Sequence, residues 1–195
     1  MLREPSAQAL SAFYYFEVRR KGKEPSLEGK LAYLNESVAK ASWNFVPSWV
    51  LPKRCRHDRS KLVDCVFETY HFIGVAEYFD ESMVLLAEVA QVPLSSVLYV
   101  ASKKNAVQNK EPDLLKLYLE HDYVASRAFD YRLWEAATAR VRSAFENHER
   151  QAKLDEYRSM LDQVRAECSS TRDQAICYWN DNGCGYACFD RLFGP

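Results

Sequence analysis

The sequence predicts an α/β protein, with a parallel sheet in the part spanning residues 1–110, a helical part over 111–170 and a Cys-rich tail over 171–195. Three observations predict it. The run VFETYHFIGVA at 66–76 is dense in β-branched and aromatic residues, as a buried strand is. A helix follows, with Asp80 as N-cap, Met83, Val84, Leu86, Ala87 and Ala90 on its apolar face and Pro93 as its stop, and Val97-Leu98-Tyr99-Val100 then reads as a second short strand. Strand, helix and strand in this order make a right-handed parallel crossover. From Pro112 onward the period becomes helical: Trp134, Ala137, Val141 and Ala144 share one face, and Leu154, Tyr157, Leu161, Val164 and Cys168 another. Stripes of this kind are read as core packing.

Ahead of the first strand, Pro5 suits the opening turn of a helix that carries Leu10, Phe13, Tyr14 and Phe16 to Val18 and runs to about Arg20. Gly22, Lys23 and Pro25 end it. Residues 27–37 form a second short helix. The stretch 43–60 bears Pro, Trp43, Trp49 and His57, and reads as an excursion placed to cap or line a site.

At 195 residues, with 48% apolar and 13% aromatic side chains, the chain can build a sizeable core. Its 26 Lys and Arg balance 27 Asp and Glu, so no global basic field argues for nucleic acid, and any anion site must be local. No apolar run reaches 18 residues, and the start MLREPSAQ has no signal-peptide pattern. Of six cysteines, Cys55, Cys65, Cys168, Cys177, Cys184 and Cys188, four fall in the last 28 residues. Disulfides, a zinc site and free thiols are the alternatives. Disulfides in an oxidising compartment are favoured because no CxxC pair occurs and no His follows His148, so no metal is expected. Asn35-Glu36-Ser37 is a glycosylation sequon, in keeping with a lumenal site.

The chemistry-bearing residues begin at Arg3-Glu4-Pro5, with Ser11 eight residues beyond Arg3. An Arg at a strand end and a Ser in the following helix can converge on one phosphate, the Arg supplying a fork of donors and the Ser one more. On spacing alone the structural reading, Arg3 paired locally and Ser11 capping, is preferred. The string LREP-x5-SAFYYF, however, resembles the 3′-phosphate motif of sulfotransferases, which holds the donor PAPS (3′-phosphoadenosine-5′-phosphosulfate). IGVAEYFDESMVLLAEV and LKLYLEHDYVASRAFDYRLWEAA, with Asp122, Phe129 and Trp134, are similar to galactose-3-O-sulfotransferases and galactosylceramide sulfotransferases over about residues 1–150.

The resemblance implies a P-loop-NTPase-like sheet and a single sulfotransferase domain fragment over 1–195. It also implies a Golgi enzyme, membrane-anchored in its full-length form, that moves a sulfuryl group from PAPS to a galactose or other sugar hydroxyl of a glycolipid or glycan. Arg3 and Ser11 become the 3′-phosphate ligands. Lys103 and Lys104, in a loop after a strand, stand beside the donor or an anionic acceptor, or are simply solvated. Glu77, Asp80 and Glu81 lie in the most recognisable string, where caps and ion pairs are the usual role of acids.

The departure from the family is the second phosphate site. A loop whose amides, Lys and Thr or Ser hold the 5′-phosphosulfate is required. None of the glycines Gly22, Gly29, Gly74, Gly183, Gly185 and Gly194 is followed by Lys-Thr or Lys-Ser, and Gly22-Lys23 runs into Glu24-Pro25. The chain therefore reads as starting in mid-domain without its P-loop half and inactive alone. The catalytic base is unknown, and none is assigned among His57, His71, His121 and His148. The competing expectations are a truncated, non-catalytic homologue keeping a nucleotide-phosphate or glycan-binding surface, and a helical interaction module.

Overall fold

The structure, a computed structural model, describes residues 1–39, 55, 61–100, 112–168 and 186–194. These residues are helical almost throughout, and they divide into two compact units: residues 1–77 with the segment up to 139, and residues from 78 with the segment from 140 onward.

In the first unit, α1 spans Pro5–Phe13 and runs on into a π-helical turn, Tyr14–Arg19. Pro5 occupies a first-turn position, where its missing N–H costs nothing. Glu4 is the N-cap, accepting from the backbone N–H of Ser6 at 3.1 Å and of Ala7 at 2.6 Å. In the π turn the Arg20 N–H reaches back five residues to the Tyr15 carbonyl. Buried Glu17 lies in this turn, 2.6 Å from both Lys21 and Lys23. Helix α2 spans Leu27–Ala39, α3 Leu62–Thr69, and α5 Asp113–Tyr118 with a second π turn at Leu119–Tyr123. The short α6, Val124–Ser126, leads into α7, Ala128–Ala144, of which the residues up to Ala139 belong to this unit. Leu34, Leu115 and Tyr123 form a buried cluster, packed by Ala9, Leu10, Leu27, Leu31 and Tyr131.

In the second unit, α4 spans Phe79–Ala90 and packs against α8, His148–Glu167. The core is Val84, Leu98, Leu154, Tyr157, Leu161, Val164, Cys168 and Phe189, the last from α9, Tyr186–Phe193. The 154-157-161-164 stripe is thus the buried face of α8. Gln91 ends α4 in the left-handed region at φ 56°, and the Val92 N–H then bonds the Ala87 carbonyl at 3.1 Å.

The described residues do not form the parallel sheet expected from the sequence. Among the described residues no strand occurs, so the α/β, P-loop-like assignment is corrected to a helical one. All that remains of strand pairing is a single parallel bridge between Leu2 and Val75, in which the Leu2 N–H donates to Gly74 and the Ala76 N–H donates to Leu2, each at 2.7 Å. The segment read as a buried strand at 66–76 is instead α3 through Thr69. Leu62 and Val66, four residues apart, bury on one helical face, and that packing overrides the β-branched composition. Val97-Leu98-Tyr99-Val100 begins in a 3₁₀ turn, Leu94–Val97, and Leu98 leaves it extended but without a ladder partner. The crossover is therefore absent. Asp80 sits in the first turn of α4, two residues past its N-cap, which is Tyr78.

Candidate functional site

Within the first unit a cavity of about 200 Å³ opens beside α1. Leu2, Pro5, Ala9, Ala12 and Phe16 line it from the chain start, α1 and its π turn, and Tyr33, Tyr123 and Trp134 line it from α2, the second π turn and α7. Four polar residues reach it: Arg3, Gln8, Arg127 and Asp130. Arg127 and Asp130 are almost fully buried, at 5% and 4% exposure, so the cavity carries opposite charges within its apolar wall. The Arg127 guanidinium lies 5.7 Å from the centre of the Tyr123 ring, within cation–π range.

The LREP string is organised around Glu4. Its carboxylate accepts from the Ser6 and Ala7 amides, from the Ser6 hydroxyl at 2.7 Å and from the Tyr131 hydroxyl at 2.7 Å. Burial pushes the Glu4 carboxyl up, but the hydrogen bonds from Tyr131, Ser6 and Ala7 together outweigh it and hold the group below its ordinary value of 4.5. The same burial, with the bond to Glu4, raises the Tyr131 phenol. Glu77 extends the network: it accepts from the Glu4 N–H at 2.9 Å and from the Trp134 indole N–H at 3.1 Å. The amides at the start of α1 are therefore already satisfied by a carboxylate, and they are not an open anion cradle.

The residues singled out in the sequence fall as follows. Arg3 stands exposed at the cavity and makes no hydrogen bond or ion pair among the described residues. Ser11, half-buried on α1, is not part of the cavity wall, so the two do not meet there. Lys103 and Lys104 lie outside the described residues, as do His57, Cys177 and Cys184. Cys55 and Cys65 form a disulfide with Cα atoms 5.7 Å apart, and Cys168 and Cys188 form another at 5.8 Å. Asn35 is exposed on α2, and its side-chain oxygen accepts from the Tyr118 hydroxyl at 2.7 Å.

The acids of the EYFDESM string are held in structural bonds. Asp80 accepts from Tyr99 at 2.9 Å, and Arg158 reaches Glu81 at 2.8 Å and Asp80 at 3.6 Å. No group of His, Cys, Asp and Glu with metal-ligand geometry occurs among the described residues.

Arg127, Asp130 and Tyr123 escaped the sequence reading. A signal was present for Asp130, which extends the 134-137-141 stripe backward by one turn and so places a charge on a face otherwise apolar. Compared with models of known families, with curated proteins and with solved structures, the chain matches none.

Proposed function

We propose that this chain is a homologue of the galactose-3-O-sulfotransferases, a family whose reaction moves a sulfuryl group from PAPS to a sugar hydroxyl of a glycan or glycolipid. The observation that carries the reading is Arg3: inside the LREP-x5-SAFYYF string it presents an uncommitted guanidinium at the mouth of an aromatic-walled cavity. A phosphate there meets a planar fork of donors suited to bidentate recognition. In the family reaction a new S–O bond forms to the acceptor oxygen as the bond to the leaving phosphate breaks, while a base takes the hydroxyl proton. Arg3 would hold the 3′-phosphate of the donor and orient it, and no residue described here is assigned as the base. The two disulfides suit an oxidising compartment such as the Golgi lumen. No helix of the described residues is long and apolar enough to cross a membrane.

A second reading, a non-catalytic homologue that retains a phosphate- or glycan-binding surface, is favoured by Glu4. Its carboxylate occupies the helix-start amides on which a phosphate would draw, and Ser11 stands apart from the cavity.

Titration of adenosine-3′,5′-bisphosphate, with adenosine-5′-phosphate as comparison, tests the assignment. The bisphosphate binds more tightly, Arg3→Ala weakens it by at least about tenfold, the equivalent of one charge-assisted hydrogen bond, and Ser11→Ala weakens it less. Equal binding of both nucleotides, unchanged by Arg3→Ala, rejects the 3′-phosphate role. Sulfuryl transfer from PAPS to a galactoside, present or absent in the same protein, separates the enzyme from the binding homologue.

A further inference from the structure

Both π-helical turns of the first unit border the same cavity: Phe16 comes from Tyr14–Arg19 and Tyr123 from Leu119–Tyr123. Such turns are rare and recur at functional sites, because the inserted residue re-aims side chains that a regular helix would stack elsewhere. Here each turn contributes one ring to the lining of a single space of about 200 Å³.

That volume selects the ligand. An apolar cavity of about 150 Å³ accepts a benzene ring, whereas sites for drug-sized molecules begin near 300 Å³. One ring or a fused pair fits; an oligosaccharide or a lipid tail does not. The wall selects its character. Phe16, Tyr33, Tyr123 and Trp134 line it, and aromatic side chains favour a planar body that can stack on them or meet them edge-on. Of the charged side chains, Arg127 and Asp130 are buried in the wall and the carboxylates of Glu4 and Glu77 are taken up by Tyr131 and Trp134, so the exposed Arg3, without a partner among the described residues, is the cation open to a ligand.

We infer that this cavity is a binding site for a planar aromatic ring bearing a single anionic group, of the aryl carboxylate class. The ring lies among the four aromatic side chains and the carboxylate meets Arg3 at the mouth. Because it stands on the aromatic wall and the π turns, the site goes beyond the sulfuryl-donor reading and does not require it.

Calorimetric titration of the protein with indole-3-carboxylate, indole and tryptamine varies the charge on one ring. The carboxylate binds, indole binds at least about tenfold more weakly, and tryptamine gives no heat. Ala12→Leu and Ala9→Leu place side chains in the cavity while keeping good helix formers on α1, and each lowers carboxylate affinity by about tenfold or more, with the far-ultraviolet circular dichroism unchanged. Arg3→Gln brings the carboxylate down to the level of indole and leaves indole unaffected. Overturning results are carboxylate and tryptamine binding alike, no binding of any of the three at millimolar concentration, or affinity indifferent to both filling substitutions in the folded protein. If indole-3-carboxylate binds and adenosine-3′,5′-bisphosphate does not, the donor reading fails and the ring site stands.

Discussion

Glu4 is the residue on which the start of the chain turns. It caps α1, accepts from Tyr131 and, through its own N–H, ties to Glu77. A capping side chain contributes roughly 0.5–2 kcal/mol, so Glu4→Ala should destabilise the protein by about that amount, read as a shift in the urea midpoint at neutral pH. The loss also leaves the half-buried Tyr131 hydroxyl without its acceptor. Since the folded carboxyl binds its proton less readily than the unfolded one, its contribution is full above pH 4.5 and drains away as pH falls below that value. Urea midpoints measured down the acid range should therefore fall less steeply in Glu4→Gln than in the parent; equal slopes would show that the carboxylate has no such linkage. Pro5, beside Glu4, is legible in the sequence as a first-turn residue. The capping role of Glu4 is not, since Glu is no preferred cap, and neither is its bond to a residue 127 positions away, because nothing local encodes a long-range partner.

Among elements, α8 shows which forces hold the second unit. Glu88 bridges Arg150 at 3.0 Å and Lys153 at 3.2 Å, but these pairs are partly solvated and contribute at most about 1 kcal/mol each. The fully buried Tyr157, whose hydroxyl donates to the Val97 carbonyl at 2.8 Å, and the leucines of its stripe contribute more. The Cys168–Cys188 bond ties the end of α8 to α9 across a separation of 20 residues. Closing a loop of that length removes unfolded-state entropy worth about 3 kcal/mol. Paired Cys168→Ser and Cys188→Ser substitutions should lower unfolding stability by up to that amount, and Cys55→Ser with Cys65→Ser, at a separation of 10, somewhat less. Non-reducing mass spectrometry checks the pairing, and urea unfolding the cost. Helices α1, α4 and α8 were readable from period, with Pro5 marking the start of α1, although the cap read for α4 at Asp80 was not the one observed. Helix α3 was not, since eight residues rich in valine, phenylalanine and threonine satisfy either period until a partner surface chooses.

At the scale of the molecule, the chain builds two units from alternating segments, and each has its own core. Leu161→Ala should cost about 2–5 kcal/mol, as a fully buried leucine does, and should speed hydrogen exchange along 154–164; unchanged exchange there would remove Leu161 from the core of its unit. The sequence by itself determined the helical stripes, the proline at the start of α1, the balance of charge and the stock of cysteines. All of these depend on neighbours within a few turns or on composition alone. Tertiary structure alone decided that 66–76 and 97–100 pair into no sheet, and that Arg3, Tyr33, Arg127, Asp130 and Trp134 surround one cavity while Ser11 stands outside its wall. Strand pairing and cavity walls are contacts between residues far apart in the chain. Their free energy depends on which surfaces meet, and local period and propensity carry no record of that.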